Sequence, residues 1–137
     1  MRFWDSSAVV TLLFEQTLRA HAVELLAVDA EMIVWWGTSV ECASAIGRVE
    51  REGGLTEYAI SAATDRLRDL STAWYEVAPV EEVRLQAMRL LRTHPLRAAD
   101  ALQLAAALVW SGHSEQLELV SFDERLCTAA RREGFIA

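Results

Sequence analysis

At 137 residues, 53% of them hydrophobic and 24% charged, the chain is long enough for one compact domain with a sizeable core. No apolar run reaches the length of a membrane span, and the longest, residues 101–110, contains Gln103. The net charge is −7 and the basic residues are all arginine, a balance that argues against nonspecific nucleic-acid binding, which depends on phosphate neutralisation.

In chain order, Arg2–Trp4 reads as a short strand. A helix should begin near Ser6 or Ser7 and run through Val9, Val10, Leu12 and Leu13. Leu18, Ala22, Leu25 and Leu26 mark a second helical face. Met32–Trp35 is the next strand, with Trp35 and Trp36 placed so that at least one is exposed. Thr38 or Ser39 suits the N-cap of a helix that continues to about Arg51. Gly53 and Gly54 stop it. The pattern then predicts a helix over about 56–71 and an edge strand at Tyr75–Val77, closed by Pro79. Residues 80–91 form a helix whose Glu81 and Glu82 favour its N-terminus. Pro95 suits the first turn of a helix that runs through Trp110. Residues 117–120 read as a strand, Glu124–Arg132 as a helix, and Phe135 and Ile136 as a last short strand.

This alternation predicts a parallel sheet covered by helices. No repeat or composition shift divides the chain, so a single domain over residues 1–137 is expected. Cys42 and Cys127 have no metal-like spacing and read as reduced core thiols. The apolar start ends at Asp5, which gives no signal-peptide region and makes the cytoplasm the expected compartment.

Four acids stand out because their surroundings are apolar. Asp5 follows Phe3-Trp4, and Glu41 comes soon after the strand at Met32–Trp35. Asp100 lies in Leu96-Arg97-Ala98-Ala99-Asp100-Ala101-Leu102-Gln103-Leu104, and Asp123 follows Val120-Ser121-Phe122. Parallel sheets bind ligands beyond the carboxyl ends of their strands, where Asp5, Glu41 and Asp123 fall. Asp100 sits on a helix apolar on nearly every side, and is expected to be buried.

Each acid has a purely structural reading. Asp5 and Asp123 could cap helices, Glu41 could serve a helix dipole, and Asp100 could pair with Arg97. A common location favours a shared partner. Carboxylates about 4 Å apart repel by roughly 4 kcal/mol at an effective dielectric near 20. A hard divalent cation, Mg²⁺ or Mn²⁺, would offset this and equip the site for phosphodiester hydrolysis.

Other chemistry has little support. His21, His94 and His113 are scattered, and His94, before Pro95, reads as a solvent-facing or cap residue. There is no glycine-rich phosphate loop and no Gly-x-Ser-x-Gly elbow. Asp65, Asp69 and Glu57 fall on a polar helix face and should only meet water.

At the four acids the chain resembles the PIN-domain family, and more closely the VapC-type ribonuclease toxins of toxin–antitoxin pairs. The resemblance rests on Phe3-Trp4-Asp5-Ser6-Ser7-Ala8, on Ser39-Val40-Glu41-Cys42-Ala43, on residues 96–107, and on Val120-Ser121-Phe122-Asp123-Glu124-Arg125-Leu126. It implies a three-layer α/β/α, Rossmann-like domain with a central parallel sheet. It further implies a Mg²⁺- or Mn²⁺-dependent endoribonuclease with Asp5, Glu41, Asp100 and Asp123 as metal-site carboxylates. Ser7 and Ser121 match hydroxyl positions that orient them, with Ser6 adjacent. Partners implied are an RNA substrate, a cognate antitoxin and a second copy of the chain. Arginines that meet RNA are sought among Arg48, Arg51, Arg97 and Arg125. Two alternatives stand beside this reading. One is a non-catalytic PIN-like module that binds RNA or protein. The other is a haloacid-dehalogenase-type phosphatase, which would want an acid where Ser7 stands.

Overall fold

The structure is a computed structural model that describes residues 1–112 and 117–137; His113 lies outside the described residues. Four strands form one parallel sheet: β1 (Arg2–Trp4), β2 (Met32–Trp35), β3 (Tyr75–Val77) and β4 (Leu119–Val120). Their spatial order is β3-β2-β1-β4. Register pairs Phe3 with Ile33 and with Leu119, and Ile33 with Tyr75. The last segment makes a single parallel bridge, Ile136 to Glu118, rather than the short strand expected there.

Seven helices are described: α1 (Ser6–Leu13), α2 (Arg19–Val28), α3 (Thr38–Glu52), α4 (Glu57–Ala73), α5 (Glu81–Thr93), α6 (Ala98–Ser111) and α7 (Glu124–Arg132). Strand alternation decides which helices cover which face. Trp4, Met32, Val34 and Val120 point into one core, built with Val9 and Leu13 of α1, Ala22 of α2, Ile46 of α3 and Ala63 of α4. Phe3, Ile33, Trp35 and Leu119 point into the other, against Val83 and Leu90 of α5, Leu104 of α6 and Leu126 of α7. The result is three layers, α/β/α, as expected. Every strand residue of β2 is buried, as a central parallel strand covered on both faces requires.

Two helix starts differ from expectation. The N-cap of α3 is Gly37, not Thr38 or Ser39, and no side chain caps it. Thr38 lies instead inside the first turn, fully buried. A Cβ at Gly37 would lie 2.6 Å from the Trp35 indole nitrogen, so the close approach of the indole leaves room only for glycine. Pro95 stands outside α6, whose N-cap is Arg97, because the Leu96 N–H turns back to the His94 carbonyl at 2.9 Å and Arg97 stays extended before the helix begins. His94 is the C-cap of α5 and only 9% exposed, not solvent-facing; its Nε2 meets Glu133 at 2.7 Å.

The chain order creates a switch point. From β1 the sheet grows to one side through β2 and β3, then returns to place β4 on the other side of β1. The carboxyl ends of β1 and β4 therefore flank a crevice, the usual ligand position in open α/β sheets.

Candidate active site

Asp5 follows β1 directly and is 2% exposed. Its backbone N–H donates to the Val120 carbonyl at 3.0 Å, which continues the β1–β4 ladder past the end of the strand. It caps α1 by accepting from the Ser7 N–H. The structural reading of Asp5 is thus correct, but it does not account for the rest of its surroundings. The Ser7 hydroxyl also donates to Asp5 Oδ2, and the Ser121 hydroxyl donates to the same oxygen at 2.8 Å. Three donors therefore hold Oδ2, while Oδ1 has only a 3.4 Å contact from Ser6.

Ser7 and Ser121 tie the two strand ends together. Ser7 Oγ accepts from the Phe122 N–H at 3.0 Å, and Ser121 Oγ accepts from the Asp123 N–H at 3.1 Å. Asp123 caps α7 by accepting from the Leu126 N–H at 2.9 Å. It is half-buried and linked through Ser121 to Asp5.

Glu41 stands in the first turn of α3 and is half-buried. The Ser6 hydroxyl donates to its Oε2 at 2.7 Å, and the Gln103 amide donates to its Oε1 at 2.9 Å. Sequence reasoning passed over Gln103 as an interruption of an apolar run. It lies three residues after Asp100, on the same side of α6. It is fully buried, and its amide also donates to Thr38 Oγ1 at 3.2 Å, while Oε1 has no partner. A buried amide in an apolar helix needs a polar partner, and Asp100 and Gln103 at i,i+3 was the available signal.

Asp100 is in the first turn of α6 and half-buried rather than buried. The reason is its position: the first turn of α6 lies at the open end of the crevice, and the apolar body of the helix begins with Ala101.

The electrostatics connect all four acids. Burial pushes the Asp5 carboxyl up, against the pull of the Ser7 and Ser121 hydrogen bonds, and the Asp100 charge adds to the rise. Burial also raises Glu41, with Asp5 and Asp100 contributing. Burial raises Asp100, followed by the Asp123 charge, and is opposed by the Arg97 backbone and the Arg97 and Arg125 guanidinia. No arginine ion-pairs with any of the four among the described residues. Nor do any three acid, cysteine or histidine side chains there stand close enough to form a metal cage as they are. The donor set is nonetheless all oxygen and partly desolvated, which fits a hard divalent ion better than a soft one.

Among the described residues, no thiol or imidazole hydrogen-bonds to the four acids, although the His21 ring packs edge-on against Phe122 at 6.0 Å. Cys42 is buried, and burial with the Glu41 and Asp5 charges pushes its thiol up to about 12. Burial also raises Cys127, which lies in the core beside Ser121. His21 is exposed on α2, and His94 is held by Glu133.

Comparison with known proteins gives a consistent result. The family model described as PIN domain matches residues 2–132. Ribonuclease VapC45 and Ribonuclease VapC49, both of Mycobacterium tuberculosis, are each 34% identical over 144 residues, covering 96% of this chain and 90% of theirs. The crystal structure of PAE2754 from Pyrobaculum aerophilum superposes with a TM-score of 0.65 at 23% identity, over 98% of this chain and 87% of that one. That likeness speaks to the fold.

Proposed function

The chain belongs to the PIN-domain family and stands with its VapC ribonucleases, and from that premise we propose that it is a Mg²⁺- or Mn²⁺-dependent endoribonuclease, the toxin of a toxin–antitoxin pair. The observation that carries the reading is that Asp5 and Glu41 share the Ser6 hydroxyl at one sheet edge, with the Asp100 charge acting on both and none of the three ion-paired among the described residues. Asp123 joins them through Ser121. The unit that carries the activity is one domain spanning residues 1–137.

In this reading Asp5, Glu41, Asp100 and Asp123 hold the metal. When bound, it supplies a water of lowered pKa and offsets charge on the scissile phosphate. The chain's own residues do the positioning. Ser7 and Ser121 fix one oxygen of Asp5 and leave the other free. Ser6 and Gln103 hold the two oxygens of Glu41 from opposite helices, so that its carboxylate keeps one orientation. Groups held this way lose little freedom when a ligand arrives, which is the basis of preorganised catalysis. The hydroxyls around Asp5 also count against a dehalogenase-type phosphatase, which would need an acid where Ser7 stands.

The remaining partners follow from the same reading: an antitoxin that silences the enzyme, and a second copy of the chain. Leu85, Met88 and Leu91 form an exposed apolar stripe along α5 that supports self-association. No described helix is long and apolar enough to cross a membrane, which is compatible with a cytoplasmic enzyme.

Expression of the wild-type chain should arrest growth, and the purified protein should cut single-stranded or loop RNA only with Mg²⁺ or Mn²⁺. Asp100→Asn should abolish both, lowering cleavage by at least about a hundredfold, as loss of a charge stabiliser does. Undiminished toxicity of that variant would refute the assignment.

A further inference from the structure

Seven of the thirteen arginines are ion-paired among the described residues: Arg2, Arg19, Arg66, Arg68, Arg84, Arg89 and Arg131. The other six have no acid partner among the described residues, although the chain carries a net charge of −7. Three such arginines lie together at one end of the acid site. Arg97 is the N-cap of α6, three residues before Asp100, and Arg125 lies in the first turn of α7, two residues after Asp123, so both stand beside the acids. Arg125 and Arg132 both line a cavity of about 350 Å³ between α7 and the turn joining α5 to α6. Arg125 belongs to both places, so the cavity continues from the acid site.

The helix geometry explains the alignment. Arg125, Thr128, Ala129 and Arg132 are spaced i, i+3, i+4 and i+7 on α7, so they form one stripe, with the arginines about 10 Å apart along the axis. The far wall holds His94 and Pro95. His94 is 9% exposed, and its Nδ1 is buried without a partner. The acids here are already engaged. Glu124, which also lines the cavity, pairs with Arg131, and Glu133 pairs with Arg89 and His94. Thr128 spends its hydroxyl proton on the Glu124 carbonyl at 2.9 Å, so the donors left facing the cavity are the Arg125 and Arg132 guanidinia, neither ion-paired among the described residues.

We propose that this cavity is a phosphate subsite, which holds the RNA backbone next to the scissile bond through Arg125 and Arg132. The inference rests on the ribonuclease reading and adds to it where the substrate lies. Guanidinium suits a phosphodiester because its planar fork donates two parallel hydrogen bonds to two oxygens. The position answers a difficulty of the composition: an acidic chain with no lysine must concentrate its cations to hold an anionic strand. The subsite reads phosphate and not base, so it contributes affinity more than sequence preference.

The test is binding of a short single-stranded RNA to the Asp5→Asn protein, followed by fluorescence anisotropy across a salt series, alongside cleavage by proteins with native Asp5. Arg132→Ala and Arg125→Ala should each weaken binding severalfold and lower the slope of log affinity against log salt by about 0.7 to 1. Arg132→Lys should recover part of the affinity. In cleavage, the loss for Arg132→Ala should fall on KM more than on kcat. Arg68→Ala removes the same charge from the distant α4 face and should leave binding unchanged. Circular dichroism confirms that each variant is folded. Equal affinity and slope in Arg132→Ala and its parent would overturn the subsite, as would an equal loss in Arg68→Ala. Native protein that binds RNA with the expected slope but never cuts it would sink the ribonuclease reading and leave the subsite standing. Native protein that neither binds nor cuts RNA would overturn both.

Discussion

Asp5 illustrates the conflict between stability and chemistry. Its carboxyl is almost fully enclosed, and burial raises its pKa, so the fold disfavours the charge that the proposed chemistry needs there. The sign follows from linkage. A carboxyl raised in the folded state stabilises the fold below its unfolded value, 3.8 for Asp5, and that contribution is lost as pH rises through the folded value. Glu41 and Asp100 act in the same direction. Asp5→Asn keeps the helix cap and the hydroxyl partners but removes the charge. Without metal it should therefore melt at a higher temperature than wild type at pH 7, with the difference shrinking toward pH 4, while nuclease activity is lost. A melting temperature at pH 7 below that of wild type would contradict this account. Glu133 has the opposite sign: Arg89 and then His94 lower its carboxyl, so its contribution is present above 4.5 and fades as pH falls.

At the scale of elements, the site depends on how helices begin. Asp5 and Asp123 each cap a helix and serve the acid cluster, so the start of α1 and of α7 fixes two of the four carboxylates. Glu41 depends on α3, whose start has no side-chain cap and rests on Gly37. The Gly37 backbone is in the ordinary helical region, so alanine is allowed there by conformation. Space forbids it, because the new methyl would meet the buried Trp35 indole. Gly37→Ala should destabilise the fold by roughly 1–3 kcal/mol, the usual cost of forcing a packed side chain to move. Urea unfolding followed by tryptophan fluorescence reads this directly, and an unchanged midpoint would show that the indole yields freely.

For the whole molecule, the proposed metal site would couple ion binding to folding. Asp5, Glu41, Asp100 and Asp123 sit after β1, on α3, on α6 and after β4, and these segments share one edge only when the sheet is formed and both helical layers are docked. A ligand that binds only the folded state stabilises it by mass action, by about 2.7 kcal/mol at a hundredfold excess over its Kd. Mn²⁺ should raise the melting temperature of the wild type by several degrees at that excess, and of Asp100→Asn much less. An equal rise in both, read by calorimetry, would place the ion elsewhere.

The sequence by itself marked the four strands of the sheet, the seven described helices and the four acids as candidates, because each is a local matter, while the last expected strand proved to be a single bridge. Period-two and period-3.6 apolar patterns follow from backbone geometry, and a lone acid after a buried strand is visible without coordinates. Contacts between distant segments were decided only by the tertiary structure. Gln103 meets Glu41 across 62 residues and Ser121 meets Asp5 across 116, and no local pattern encodes either distance. The sequence marked Ser121 only through resemblance, and Gln103 only as a break in an apolar run, with no sign of its partner. The half-burial of Asp100 and the free arginine stripe of α7 also depend on what packs nearby, as exposure and ion pairing are properties of the assembled fold.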